Sequence, residues 1–181
     1  MLGQIVFKNN CIYNHKIFRI NYTTYNIQRA QDVINPQTNH CNIMLLAHPD
    51  SSSSSAHPFL HAQVIGIYHV NVISIDSTNI DYRPRQMGFL WVRWYELQAC
   101  EPHQLATLHF VPMADNDVFG FVDPADVLRT CHLIPAFARG KSRPDGVGLS
   151  RCVQDGQDSK LYYINRYVCN YFYLISQLSN G

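Results

Sequence analysis

The chain has 181 residues, of which 46% are apolar, 12% aromatic and 15% charged, with a formal net charge of +1. A length of this order makes one ordinary domain and buries about 70% of the surface of its unfolded form, so it needs no metal or disulfide staple. The near-neutral balance argues against a generic polyanion binder, and the apolar share excludes disorder along the whole chain.

Residues 1–31 mix apolar and polar positions without strong periodicity, except that Ile17 to Tyr25 is rich in β-branched and aromatic residues and reads as a strand. Asn35-Pro36 turns the chain. The continuous apolar run from Asn42 to Ala47 has the pattern of a strand buried on both faces. Ser51 to Ser55 lie within a flexible loop at 49–58. His61 to Ile75 reads as one long strand with Gly66 at a bulge, followed by a polar connection from Asp76 to Pro84.

Gly88 to Tyr95 alternates, with Phe89, Trp91, Arg93 and Tyr95 on one face and Leu90, Val92 and Trp94 on the other. Thr107 to Val111 is a further short strand. Asp123 is a natural N-cap followed by Pro124, and Asp126 falls in the first turn, which predicts a short helix near 124–132. Residues 139–160 form a second flexible loop. Apolar residues at 161, 164, 168, 171, 172, 175 and 178 follow a helical period and predict a C-terminal helix. The expected fold is a β-rich α+β domain spanning 1–181, a small antiparallel barrel or sandwich with these helices.

The chemistry-bearing patterns fail one by one. The cysteines at 11, 41, 100, 131, 152 and 169 stand singly, as inert thiols do in a reducing compartment. His57 and His61 have helical ligand spacing but straddle Pro58, and no glutamate stands beside them, so no metal site is expected. Asp115 and Asp117 fit a turn, and Asp123 and Asp126 a helix start, rather than a convergent set of metal-binding acids. Gly140-Lys141-Ser142 ends like a phosphate loop, but Pro135 holds the place of the required glycine. Gly146-Val-Gly148 lacks the third glycine of a dinucleotide turn, and no nucleophile elbow is present. The reading is of a non-catalytic chain without a cofactor.

Two sets of residues remain as binding candidates. Trp91, Arg93 and Tyr95 on the aromatic strand could form a peptide cage or a base-stacking platform, with a place in the core as the competing role. Arg139, Lys141 and Arg143, with Arg151, could contact nucleic acid: residues 139–181 carry six Lys/Arg against three acids, whereas 51–138 carry four against eight. The first residues lack the features of a secretory signal, and 161–178 is interrupted by Asn165, Arg166, Asn170 and Gln177, so neither export nor a membrane span is expected.

The segments from Asn21 to Pro36, Ala62 to Val72, Phe89 to Tyr95, Phe119 to Pro124 and Val127 to Lys141 resemble one region of large proteins from mushroom-forming fungi related to Plavaka-type transposases. The resemblance covers roughly residues 17–175. That region lies C-terminal to the transposase core, so the core's catalytic acids have no matching positions here. Where relatives have acidic or mixed loops, this chain has its serine run. The order of Ala62-Gln-Val-Ile, Val92-Arg-Trp-Tyr and Gly140-Lys141 is similar to that in the bromo-adjacent homology fold of chromatin proteins.

The resemblance implies an intracellular, nuclear interaction module that contacts a chromatin protein or another part of a transposase. A nucleic-acid contact domain using 139–151 is the alternative, and a hydrolase or nuclease fragment the second alternative.

Overall fold

The structure, a computed structural model, describes residues 4–23, 28–47, 58–75, 80–98 and 106–165. Its backbone is two long strands, β5 (Phe59–Ile75) and β6 (Ile80–Gln98), paired antiparallel from Ile75 opposite Ile80 to His61 opposite Tyr95. The register shifts between Val64 and Gly66, placing the bulge at the glycine singled out in the sequence. β6 starts earlier than expected, because Ile80 to Pro84 joins the strand rather than the connection before it.

The short strands add to this hairpin. β4 (Asn42–Leu46) pairs with β5, and β9 (Val127–Thr130) pairs with β4. On the far side of β6 lie β7 (Thr107–Phe110) and β8 (Phe119–Val122), and β11 (Tyr162–Ile164) and β10 (Leu133–Pro135) extend the sheet beyond β7. β1 (Gln4–His15) pairs with the distal half of β5. The result is a nine-stranded antiparallel sheet, with β2 (Phe18–Thr23) and β3 (Arg29–Ile34) forming a separate hairpin.

The sheet curls into a half-barrel, and the packing shows in which direction. Met44 and Phe59 from one side share a buried cluster with Tyr95, Phe110, Leu133 and Ile164 from the other. Strands that far apart in a sheet meet only if it bends toward that face. The opposite face carries Ile43, Leu45, Ala62, Val64, Leu90, Val92 and Val127, with Ile34, Phe18 and Ile20 of the β2–β3 hairpin packed on it. β4 therefore has core on both sides, which is the physical reason for its unbroken apolar run.

Two helical expectations are corrected. Asp123 does cap a helical start, its Oδ1 accepting from the Ala125 N–H, but only one 3-10 turn forms, at Pro124–Asp126. Val127 to Thr130 then becomes a strand, because the open edge of β4 accepts its backbone bonds. Tertiary pairing thus overrides a valid N-cap signal. At the tail, Tyr162 to Ile164 is strand held between β7 and β10, where a helix was expected. The rest of that expected helix, and most of the serine loop, lie outside the described residues. Among the described residues no helix is long and apolar enough to cross a membrane.

Candidate interaction surface

The inner face of the half-barrel continues past its closed core along β6. Alternation carries Tyr95, Arg93, Trp91 and Phe89 on this face, and the register sets Phe121 opposite Trp91 and Phe119 opposite Arg93. On the other side of β6, Tyr68 of β5 stands opposite Phe89. Gly66 precedes it on the same face, where a side chain would collide with the Tyr68 ring. A glycine there lets the tyrosine lie flat along the strand.

Five rings thus share one sheet face. Tyr68 stacks on Phe89 with centroids 5.6 Å apart, Phe89 meets Phe121 edge-on at 5.6 Å and 80°, and Trp91 tilts against Phe119 at 5.8 Å. Phe121 is 73% exposed, while the other rings are half-buried. On the opposite face, Gly120 leaves room for the Trp94 indole, which packs on the core beneath the β2–β3 hairpin. The two tryptophans therefore take opposite faces as the alternation predicts, and the structure sets Trp94 against the core and Trp91 on the open aromatic row.

Arg93 and Tyr95 lie further inward and act as internal ties. The Tyr95 hydroxyl donates to Asn42 Oδ1 at 3.0 Å, its ring stacks on Phe110 at 4.2 Å, and burial pushes its pKa well above the ordinary value. Arg93, 5% exposed, donates from Nη1 to Asp158 Oδ2 at 2.6 Å and lays its guanidinium 3.7 Å from the Phe110 ring centre. Burial raises the Asp158 carboxyl above its usual range even though the Arg93 hydrogen bond and charge pull it down.

The basic stretch folds over this end of the barrel. Lys141 bridges Ser159 through the backbone and donates from Nζ to Gln157 Oε1 at 2.5 Å. The Asp155 carboxylate accepts the backbone N–H groups of Leu149 and Ser150, each at 3.0 Å. Burial raises its pKa, but those hydrogen bonds outweigh burial and hold it below the ordinary value. Arg143 shares a hollow of about 150 Å3 with Arg93, Ser142, Asp155 and Asp158. The structure thus joins Arg93 and Arg143, from the two predicted sets, at one small hollow, and leaves Arg139 and Lys141 on the loop surface.

Phe119 and Phe121 were not singled out by sequence reasoning. The signal available was Phe119-Gly-Phe-Val, an alternating pair of aromatics between turn residues. His15 and His69 were also missed, and they meet at the outer end of β1. Among the described residues no group of three His, Cys, Asp or Glu side chains could hold a metal ion. No protein-family model, curated protein or solved structure matches the chain.

Proposed function

We propose that this domain is a non-catalytic protein-interaction module whose contact surface is the aromatic row Tyr68, Phe89, Trp91, Phe119 and Phe121. The observation that carries the reading is the exposure of Phe121 edge-on to Phe89, in a row of five rings on one sheet face. A ring of that size is ordinarily buried, and clustered exposed aromatics are characteristic of the buried centre of protein interfaces. The resemblance to an accessory region of Plavaka-type transposase-related fungal proteins supplies the context: a nuclear module that contacts a chromatin protein or another transposase region.

The test uses a displayed peptide library selected on the wild-type chain, with Phe121→Ser and Trp91→Ala as counter-targets. The expected result is a family of peptides bound by the wild type and lost by both variants, while the thermal transition of Phe121→Ser stays within about 2 °C. Peptides bound equally by wild type and variants would overturn the assignment of the surface.

A second reading has its own observation. On the 139–160 loop, Arg139, Lys141, Arg151 and Lys160 are exposed against one exposed acid, Asp145, whereas Asp155 is buried and Asp158 is paired with Arg93. The solvent-facing charge of the loop is therefore positive and suits phosphate contact. A nucleic-acid role requires duplex retention that weakens steeply with salt and falls on Arg139→Ala and Arg151→Ala. Absence of retention at low salt removes it.

A further inference from the structure

β1 and β5 bring together two histidines that lie 54 residues apart in sequence. The register sets Tyr13 opposite His69 and His15 opposite Ile67, so His15 and His69 are diagonal neighbours on one face of the sheet. His15 Nε2 stands 2.5 Å from His69 Nδ1. The Tyr13 ring stacks on His69 with centroids 4.6 Å apart and planes within 9°, which restrains the imidazole. The pair borders a cleft of about 590 Å3 that also includes Ile17, Phe18, Gly88 and Pro124. His15 is exposed and His69 half-buried, so the facing nitrogens are within reach of solutes.

Two neutral imidazoles turned nitrogen to nitrogen share one N–H···N hydrogen bond, and a metal ion can take its place once the ring proton moves to the outer nitrogen. With ring protons on His15 Nδ1 and His69 Nε2, both facing nitrogens present lone pairs. We propose that His15 and His69 form a two-histidine site for a divalent transition metal of the imidazole-preferring class, Cu2+, Ni2+ or Zn2+.

An ion about 2.0–2.1 Å from each nitrogen needs the nitrogens roughly 3 Å or more apart. The rings must therefore part slightly. His15 stands at the exposed end of its strand and can move, while Tyr13 holds His69. The remaining coordination positions open to water. Because protons compete for the same lone pairs, metal is released on acidification.

The full chain is titrated with Cu2+ and with Zn2+ by calorimetry, and the Cu2+ complex is examined by electron paramagnetic resonance. One ion per chain is expected, Cu2+ binding more tightly than Zn2+, with hyperfine structure from two nitrogens. His15→Gln and His69→Gln should each weaken binding by at least about ten-fold. His40→Gln and His132→Gln, exposed histidines elsewhere, should not. Equal affinity in the wild type and the His15→Gln, His69→Gln double variant would overturn the site. So would a Cu2+ spectrum of the wild type without nitrogen coupling, a reading that needs no variant to fold.

Discussion

Arg93 shows how burial redirects a side chain whose sequence context suggests binding. It alternates with Trp91 on the same strand face, yet Phe110 and Asp158 close over it and the next residue on that face, Tyr95, is sealed by Asn42. A buried ion pair gains Coulomb energy but loses the hydration of both charges, so its net contribution is small while breaking it is costly. The raised Asp158 pKa expresses that balance: burial outweighs the arginine. Asp158→Asn leaves a buried guanidinium without its counter-charge and is expected to destabilise the fold by about 3 kcal/mol. Denaturant unfolding reads this as a lower midpoint at unchanged slope. Replacing both partners by apolar residues, Arg93→Met with Asp158→Leu, should recover most of the loss. An unshifted midpoint in Asp158→Asn would mean that Arg93 is positioned by Phe110 alone.

At the scale of elements, the β2–β3 hairpin is held to the sheet by one polar clasp as well as by its apolar face. Arg129 of β9 donates from Nε to Asp32 Oδ2 at 2.8 Å and from Nη2 to the Tyr22 hydroxyl at 2.7 Å, and the Thr130 N–H donates to the same Asp32 oxygen at 3.0 Å. Burial alone would raise the Asp32 pKa, but these bonds outweigh it and hold the group below its usual value of 3.8. A carboxylate with a depressed folded pKa contributes stability above its unfolded pKa, and that contribution is lost as pH falls through the folded value. Between about pH 5 and pH 2 the wild type should therefore lose more stability than Asp32→Asn. At neutral pH the variant should be less stable by about 1–3 kcal/mol. Asp158 titrates with the opposite sign, so the quantity to measure is the difference between variant and wild type at each pH. Parallel stability curves would assign the clasp no electrostatic part.

The same elements show what the sequence could disclose. β4, β5 and β6 were legible because their patterns are local: an unbroken apolar run for a strand with core on both faces, and strict alternation for one with a single open face. That Trp91 and Trp94 take opposite faces followed from that alternation, whereas which of them packs on the core did not. β9 was not legible, because what makes Val127 to Thr130 extended is the unpaired edge of β4, far earlier in the chain. The aromatic surface was legible by half. Trp91 lies on a long strand, whereas Phe119 and Phe121 sit on a four-residue strand whose facing is set by pairing with β6. The burial of Arg93 depended on Asp158, contributed by a loop that local pattern cannot direct.

The whole molecule joins one long local hairpin to a set of distant pairings, and this predicts an order of folding. β5 and β6 can zip from Ile75 and Ile80 outward, closing only a short loop. β4 with β9, and β7 with β11, bring together Ile43 with Thr130 and Leu108 with Tyr162, and each must close a long loop before its contacts compensate the lost entropy. Topologies of this kind refold in roughly milliseconds to seconds. Interactions of the late-pairing strands should be absent from the transition state, so weakening them acts on unfolding. Val127 of β9 and Val92 of β6 are buried in the same apolar cluster, which makes them a matched pair of probes. Truncation of either to alanine should cost about 1–2 kcal/mol. The Val127→Ala loss should appear as faster unfolding with the refolding limb unmoved, and the Val92→Ala loss as slower refolding. If stopped-flow measurements show Val127→Ala slowing refolding as much as Val92→Ala does, then β9 docks in the nucleus and the half-barrel closes before its central hairpin is complete.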